Sequence, residues 1–290
     1  ATPAQLIEAA AASDFDFGGM WAERETWTPA TTRAIRAQAS DAGVELLDLE
    51  VAWIMPGAPD PWLTELVHIA AEIGARNLLC VSSDPDMAAT TAKFQAMVDA
   101  AKGTGVRVNL EFGIFTEVKT IHMARAILEA VEGEAKALLV DTLHWARSGG
   151  TAEDLAAIPR EWLSYCQPCD APADGPDLAS FDAIIDDAIN RRMPLGQGGL
   201  PLGQMVDALP DHLPMAVEER SAALRDAYAR VDARIARRLP GVLDAMERNG
   251  VDFPWSCREG ICGTCEATVI EGEVEHRDFV LTPEERAEQR

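Results

Sequence analysis

Residues 137–144 read Ala-Leu-Leu-Val-Asp-Thr-Leu-His, and this stretch decides the fold. Its apolar run is typical of a strand that is buried on both faces, as strands of parallel sheets are. Asp141 ends that run, and His144 follows three residues later. Because the catalytic residues of a βα-barrel lie at the carboxyl ends of its strands, we expect both side chains to belong to an active site.

An apolar run with an oxygen-bearing side chain at its end occurs three more times in the chain. Glu111, Gln167 and Glu218 each close or directly follow such a run. Since the strands that carry these residues and Asp141 follow one another along the chain, we expect all four side chains to reach the same rim of a barrel.

Predicted strands alternate with predicted helices throughout residues 1–239, and the connections are short. This alternation is typical of an α/β fold with parallel strands and right-handed crossovers. We count roughly seven strands, whereas a closed (β/α)₈ TIM barrel has eight, so we predict a TIM barrel that lacks its first strand. An open doubly wound sheet is the alternative. We favour the barrel because the four strand-end residues are successive and no GxGxxG motif follows an early strand.

The composition narrows the class of protein. Of the 290 residues, 48% are hydrophobic and 25% are charged, which is typical of a soluble globular protein. The formal net charge of −23 repels phosphate backbones, so we expect no nucleic-acid partner, whereas a basic redox partner could dock on such a surface. Neither a membrane-spanning run nor a signal peptide is recognisable, so we expect a cytoplasmic protein without membrane contact or disulfides.

The four strand-end residues suit a hard divalent cation. Three of them are carboxylates, and Gln167 adds an amide oxygen. Carboxylates brought together repel one another, and Mg²⁺, Mn²⁺ or Co²⁺ would offset that repulsion. Each residue by itself could be an ordinary polar residue at a strand end, but their succession favours a metal site. His144 would then be close enough to act as a base or acid on a small-molecule substrate.

Four segments resemble the xylose-isomerase-like TIM-barrel superfamily, the sugar phosphate isomerase/epimerase group. They are residues 140–150, residues 165–172, residues 109–112 and the pair Val217-Glu218. The resemblance covers about residues 1–238. It implies that the four strand-end residues, Glu111, Asp141, Gln167 and Glu218, bind a divalent metal.

The resemblance also bears on the reaction. Many members have histidine at the position of Gln167, and glutamine there is similar to the 3-dehydroshikimate dehydratase branch, so a lyase activity is open beside an isomerase or epimerase activity. Gln197 lies in a glycine-rich loop where relatives commonly have glutamate, and we expect it to contact substrate.

Further residues are candidates for catalysis or substrate binding. His144 and Arg147 follow the Asp141 strand and are expected to contact the substrate, and Glu50 is a further catalytic candidate. Arg24 follows a strand end and could hold a carboxylate or phosphate, with a solvated loop arginine as the alternative.

A second motif lies far from the first. Cys257, Cys262 and Cys265 have the C-x₄-C-x₂-C spacing of plant-type [2Fe–2S] ferredoxins, and glycines between them let the backbone approach the sulfurs. A zinc site would more often show paired C-x₂-C units or nearby histidines, so the spacing favours an iron–sulfur loop.

The surrounding sequence resembles the C-terminal ferredoxin domain of phthalate-dioxygenase-type reductases. The likeness lies in residues 253–257 and 271–278. It implies a partial α+β (β-grasp) ferredoxin domain at residues 240–290, whose clustered cysteines would bind a [2Fe–2S] cluster. The family's fourth cysteine and first hairpin have no counterpart, since no cysteine follows Cys265, so we expect no stable cluster from this chain alone.

Two hypotheses from different classes follow. The first is a divalent-metal-dependent isomerase, epimerase or dehydratase that acts on a small sugar-like or hydroxy-keto substrate through proton abstraction and a metal-stabilised enediolate. The alternative is an oxidoreductase component for electron transfer, with the barrel as scaffold and a redox partner. We favour the first because the barrel is the larger part and keeps all four candidate ligands. Whether the two parts are functionally coupled is left open by the sequence.

Overall fold

The computed structural model describes residues 2–13, 15–211 and 213–223. The predicted helix at 222–239 continues beyond these ranges, and the predicted ferredoxin segment at 240–290, with its three clustered cysteines, lies outside them. The structure therefore bears on the barrel prediction and leaves the cysteine-loop prediction as it stands.

Parallel strands form the sheet that organises the described residues. They are β1 (Phe17–Trp21), β2 (Glu45–Ile54), β3 (Asn77–Ser82), β4 (Arg107–Glu111), β5 (Lys136–Asp141) and β6 (Leu163–Gln167). Each strand pairs in parallel with the next one along the chain, in the order β1-β2-β3-β4-β5-β6. Sequential parallel pairing confirms the predicted alternation and is how barrel strands are arranged, whereas a doubly wound sheet reverses its strand order partway.

Helices connect successive strands. They are α1 (Pro3–Ala12), α2 (Pro29–Ala42), α3 (Pro61–Ile73), α4 (Met87–Ala100), α5 (Ile121–Ala130), α6 (Thr142–Arg147), α7 (Ala152–Ala156), α8 (Phe181–Asn190) and α9 (Leu202–Ala208), with a 3₁₀ turn at Arg160–Trp162. The side chains of Thr2, Thr28 and Asp60 cap the first three helices, each directly before a proline. α2 ends at Gly43, whose φ of 68° suits a residue without a Cβ.

Residues 213–218 run beside β6 as an extended segment. The Cys166 amide donates to the carbonyl oxygen of Pro214 at 2.9 Å, and the Ala216 amide donates to the carbonyl oxygen of Cys166 at 2.9 Å. This segment continues the parallel order past β6 and brings Glu218 to the same rim as the ends of the other strands.

The two ends of the curved sheet approach each other. Trp21 is the last residue of β1, and Arg220 follows the extended segment at the opposite end of the strand order. The guanidinium carbon of Arg220 lies 4.6 Å from the centre of a Trp21 ring, which is cation–π geometry. The sheet thus curls as a barrel does, and this contact lies where its ends meet.

Two apolar layers hold the fold together. The larger layer packs the helices against the outside of the sheet. The smaller one fills the interior between the strands and contains Leu47, Leu79, Val81, Leu139 and Tyr165. The strand-end residues lie at the carboxyl end of this interior. Within the described ranges, no helix has the length and hydropathy needed to cross a membrane.

Candidate metal centre and active site

Three ligand-type side chains converge at the carboxyl ends of β4 and β5. Glu111 is the last residue of β4, Asp141 is the last residue of β5, and His144 lies in the first turn of α6. One ligand atom from each of the three lies within 4.8 Å of the others, and all three side chains are buried. Asp141 also caps α6, because its Oδ1 accepts a hydrogen bond from the His144 amide at 3.0 Å.

Two buried oxygens at this cluster lack a hydrogen-bond partner among the described residues. They are Oε1 of Glu111 and Oε1 of Gln167. The amide nitrogen of Gln167 donates to Oε1 of Glu50 at 3.1 Å, which orients its Oε1 away from that contact. Buried oxygens are rarely left unpaired, so this donor set fits a hard divalent cation.

Arg192, which the sequence analysis missed, lies against the cluster on the side of Asp141 and His144. Its Nη1 is 2.5 Å from Oδ2 of Asp141 and 3.0 Å from the sulfur of Cys169, and its Nη2 is 3.6 Å from Oε2 of Glu218. The guanidinium group is 2% exposed. A buried positive charge in this position offsets part of the carboxylate repulsion.

His144 is held as a neutral imidazole. Burial and, to a smaller extent, the charge of Arg192 together lower its pKa to about 3. Nη2 of Arg192 lies 3.3 Å from Nε2 of His144. Because a guanidinium group only donates hydrogen bonds, Nε2 accepts and the ring proton resides on Nδ1.

Burial and mutual repulsion raise the pKa values of the carboxyl groups at the cluster. Burial raises the pKa of Glu111 well above its ordinary value, and the charges of Glu218 and Asp141 raise it further. Burial likewise raises the pKa of Glu50, with added contributions from Asp48 and Glu218. A divalent cation among these groups would favour their ionised forms.

A buried acid–phenol pair lies in the barrel interior next to the cluster. Within the described ranges, the carboxylate oxygens of Asp48 and the hydroxyl of Tyr165 have no hydrogen-bond partner other than each other. Burial raises the pKa of Asp48 to about 7, although the neighbouring Tyr165 hydroxyl opposes the rise. A Cβ on Gly19 would lie 1.9 Å from Oδ1 of Asp48, so the glycine leaves the space that this carboxyl fills.

Comparisons with known proteins show the family and the fold of this part of the chain. A model of the xylose isomerase-like TIM barrel family matches residues 7–239. The chain belongs to that family. The solved structure of the IOLI protein with a bound zinc atom is similar, with a TM-score of 0.70 and 14% identity, over 84% of this chain and 92% of that one. A D-psicose 3-epimerase has a TM-score of 0.62 and 13% identity, over 87% of this chain and 95% of that one. At these identities the likeness concerns the fold.

The C-terminal part of this xylose isomerase-like barrel protein matches a different family. A model of the 2Fe-2S iron-sulfur cluster binding domain matches residues 233–290. The toluene-4-sulfonate monooxygenase system reductase subunit TsaB1 of Comamonas testosteroni is 86% identical over 49 residues, which are 17% of this chain and 16% of that protein. The chain therefore spans a small part of this curated relative's length.

Two arginines proposed from the sequence are engaged elsewhere in the barrel. Nε of Arg147 donates to Oδ2 of Asp187 at 2.8 Å, and its Nη2 donates to the carbonyl oxygen of Pro172 at 2.8 Å. Arg24 forms a surface ion pair with Asp60 at 2.7 Å. Neither contact reaches the cluster, so the roles predicted for both residues in substrate binding stay predictions.

Hydrogen bonds to the side chain of Asp170 hold the loop that carries Gln197. Asp170 accepts hydrogen bonds from the amides of Gly198 at 2.8 Å and Leu200 at 3.1 Å. A Cβ on Gly198 would lie 2.3 Å from Oδ1 of Asp170, so this turn needs glycine there. Gln197 itself is exposed, and its predicted contact with substrate stays a prediction.

One sequence signal could have identified Arg192. The pair Arg191-Arg192 stands shortly before the glycine-rich loop in a chain with a net charge of −23. A cluster of buried carboxylates requires nearby positive charge, and Arg191 and Arg192 are the only arginine or lysine residues in the sequence between Gln167 and Glu218. Asp48 gives no comparable signal, because the strand that carries it also contains Glu45 and Glu50, and nothing local sets it apart from them.

Proposed function

We propose that the barrel is a divalent-metal-dependent isomerase or epimerase that acts on a small hydroxy-carbonyl substrate. The observation that supports this proposal is the convergence of the Glu111, Asp141 and His144 ligand atoms within 4.8 Å, beside the unpartnered oxygens of Glu111 and Gln167. Membership of the xylose isomerase-like family and the fold likeness to a D-psicose 3-epimerase agree with it.

Glu111, Asp141, Gln167 and Glu218 are the residues that would hold the cation. When bound, it would neutralise negative charge that develops on a substrate oxygen. The neutral His144 is suited to hold a substrate oxygen through its Nδ1 proton, while its Nε2 accepts from Arg192. Burial of these groups excludes water and strengthens each electrostatic contact.

Glu218, one of the residues that would hold the cation, is also our candidate for the base, because a carboxylate has two oxygens and can use one for each task. Its side chain is 20% exposed and so can reach a substrate, and two guanidinium groups, those of Arg192 and Arg220, lie within 3.6 Å of it. The proton on the carbon next to the carbonyl would pass to Glu218, and its bonding electrons would form the carbon–carbon double bond of an enediolate. Delivery of a proton to the opposite face of that carbon gives an epimer, and this step requires a second proton donor on that face, because Glu218 holds the first proton on its own side. Return of the proton to the neighbouring carbon, with a proton passing between the two oxygens, gives an isomer.

Hydrogen exchange tests this proposal. In deuterium oxide, the full chain loaded with Mn²⁺ or Mg²⁺ is expected to introduce deuterium next to the carbonyl of dihydroxyacetone, read by mass spectrometry, and to lose that activity in chelator. Loss of water from a substrate instead of exchange would identify the dehydratase alternative. Metal-independent exchange at the background rate would contradict both.

A second candidate function rests on the C-terminal segment. We propose that it contributes to a [2Fe–2S] electron-transfer unit that works with a redox partner, because residues 233–290 match the cluster-binding domain and resemble a reductase subunit. Metal and acid-labile sulfide analysis of anaerobically purified protein tests it. About two irons and two sulfides per chain, with a reducible visible band, would support electron transfer. A divalent metal without sulfide would leave the barrel as the functional part.

A further inference from the structure

Aromatic side chains lead from the candidate metal centre to the surface. The ring of Phe115 lies 4.6 Å, centre to centre, from the imidazole of His144, with an angle of 37° between the planes. The next ring, Trp53, lies 6.3 Å from Phe115 in an edge-to-face arrangement. Trp53 is 39% exposed, so the row formed by Phe115 and Trp53, called here the aromatic wall, reaches solvent. Met55, two residues after Trp53, is 55% exposed.

Neighbouring residues hold the aromatic wall in place. A Cβ on Gly113 would lie 2.7 Å from the Phe115 ring and 3.1 Å from Cγ of His144, so glycine lets the two rings pack together. The indole nitrogen of Trp53 donates to the hydroxyl of Ser83 at 2.9 Å. The ring positions are therefore fixed by contacts within the described residues.

A further exposed ring lies on the Glu218 side of the cluster. Trp21 is 37% exposed and carries Arg220 over its face, and Nε of Arg220 is 3.3 Å from Oε1 of Glu218. Rings thus lie beside His144 and beside Arg220, the ion-pair partner of Glu218. The polar groups that could hold a substrate are concentrated at the buried end of the site, and large apolar surfaces face the open end.

We infer, on the basis of the proposed function, that the substrate has a polar hydroxy-carbonyl end and a flat apolar portion such as an aromatic ring. A polyol chain can pack only its C–H faces on Phe115 and Trp53, and it needs hydrogen-bond partners elsewhere for the hydroxyl groups along its length. An aromatic ring instead gains burial and ring–ring contact there.

Binding of two ketones with the same reacting end tests this inference. Hydroxyacetone and 2-hydroxyacetophenone share the C(=O)–CH₂OH group and differ in a methyl or a phenyl substituent. With the full chain loaded with Mg²⁺, we expect the phenyl compound to bind at least about tenfold more tightly by ligand-observed NMR, since ring contacts of this kind are worth about a factor of ten.

Variants locate the source of the preference. Phe115→Leu and Trp53→Ala are expected to reduce the phenyl preference to about threefold or less, with little change in hydroxyacetone or Mn²⁺ binding. Phe181→Leu removes a ring that is 62% exposed on α8 and should leave the preference unchanged. Equal binding of the two ketones, or a preference that both wall variants retain, would overturn the inference.

The same measurement in chelator separates this inference from the proposed function. If the chain bound no divalent metal, the proposed function would fail, yet a phenyl preference lost in Phe115→Leu would still be measurable in the metal-free protein. The converse outcome is metal-dependent hydrogen exchange of dihydroxyacetone without any preference for the phenyl ketone. It would support the proposed function and would exclude the aromatic wall as a substrate contact.

Discussion

Glu111→Gln is expected to abolish divalent-metal binding and the exchange activity while the barrel remains folded. The variant keeps the shape of the side chain but removes the charge of a buried ligand whose Oε1 has no partner among the described residues. Changes outside the ligand set of a metal site cost about 10–100-fold in affinity, so loss of a direct ligand should cost at least about 100-fold. Without the cation, the negative charge that develops on the substrate oxygen loses several kcal/mol of stabilisation. We therefore expect the exchange rate to fall by about 10³ or more.

Mn²⁺ titration followed by electron paramagnetic resonance, with deuterium exchange on the same samples, measures both effects. The control is Glu117→Gln, because Glu117 is 43% exposed and pairs with Lys119 at 2.7 Å on the surface. In chelator, Glu111→Gln should unfold at the same or a higher temperature than the parent, since one buried carboxylate is gone. Mn²⁺ binding equal to that of the parent would refute the assignment of the metal site.

Asp48→Asn is expected to make the stability of the metal-free protein less dependent on pH. Burial raises the pKa of Asp48 from 3.8 to about 7 in the folded chain, so between these values the folded state binds a proton that the unfolded state has released. The free energy of unfolding therefore falls as the pH rises towards 7. Asparagine has no such titration. The free energy of unfolding of the variant minus that of the parent should grow by up to about 1.4 kcal/mol per pH unit from pH 5.5 to 7 and then level off.

Urea denaturation in chelator at half-unit steps from pH 5.5 to 8.5 measures this difference. The amide of asparagine itself changes the free energy of unfolding, but that change does not depend on pH. The test is therefore the slope of the difference in unfolding free energy against pH. Asp41→Asn replaces an exposed aspartate of α2 and should give a flat difference. A flat difference for Asp48→Asn as well would show that its carboxyl ionises at its ordinary pH in the folded chain.

The fold was predictable because strands and helices alternate regularly along the chain. Each predicted strand is a short apolar run bounded by helix signals, and the capping threonine and proline at the start of α2 and the glycine at its end mark that helix directly. Glu111, Asp141 and Gln167 were placed correctly as the last residues of β4, β5 and β6. Parallel strands bring their carboxyl ends together, so position along the chain was enough to predict their shared rim.

Other parts of the site could not be predicted because they depend on contacts between distant segments. Arg192 reaches Asp141 across 51 positions of sequence, and no local pattern encodes that approach. Asp48 lies in a strand whose alternation is interrupted, since the register of β1 against β2 shifts between Gly18 and Gly19. Simple alternation therefore gives no reliable face for this aspartate.

The position of Arg192 has a consequence for how the protein matures. A barrel whose acidic centre depended wholly on a metal could fold only where that metal was present. Here a side chain supplied by the chain itself already pairs with Asp141 and lies 3.6 Å from Glu218. We expect the newly made chain to reach its folded form in a metal-poor compartment, with the guanidinium group as a resident counter-ion, and to acquire or trade its cation afterwards without unfolding.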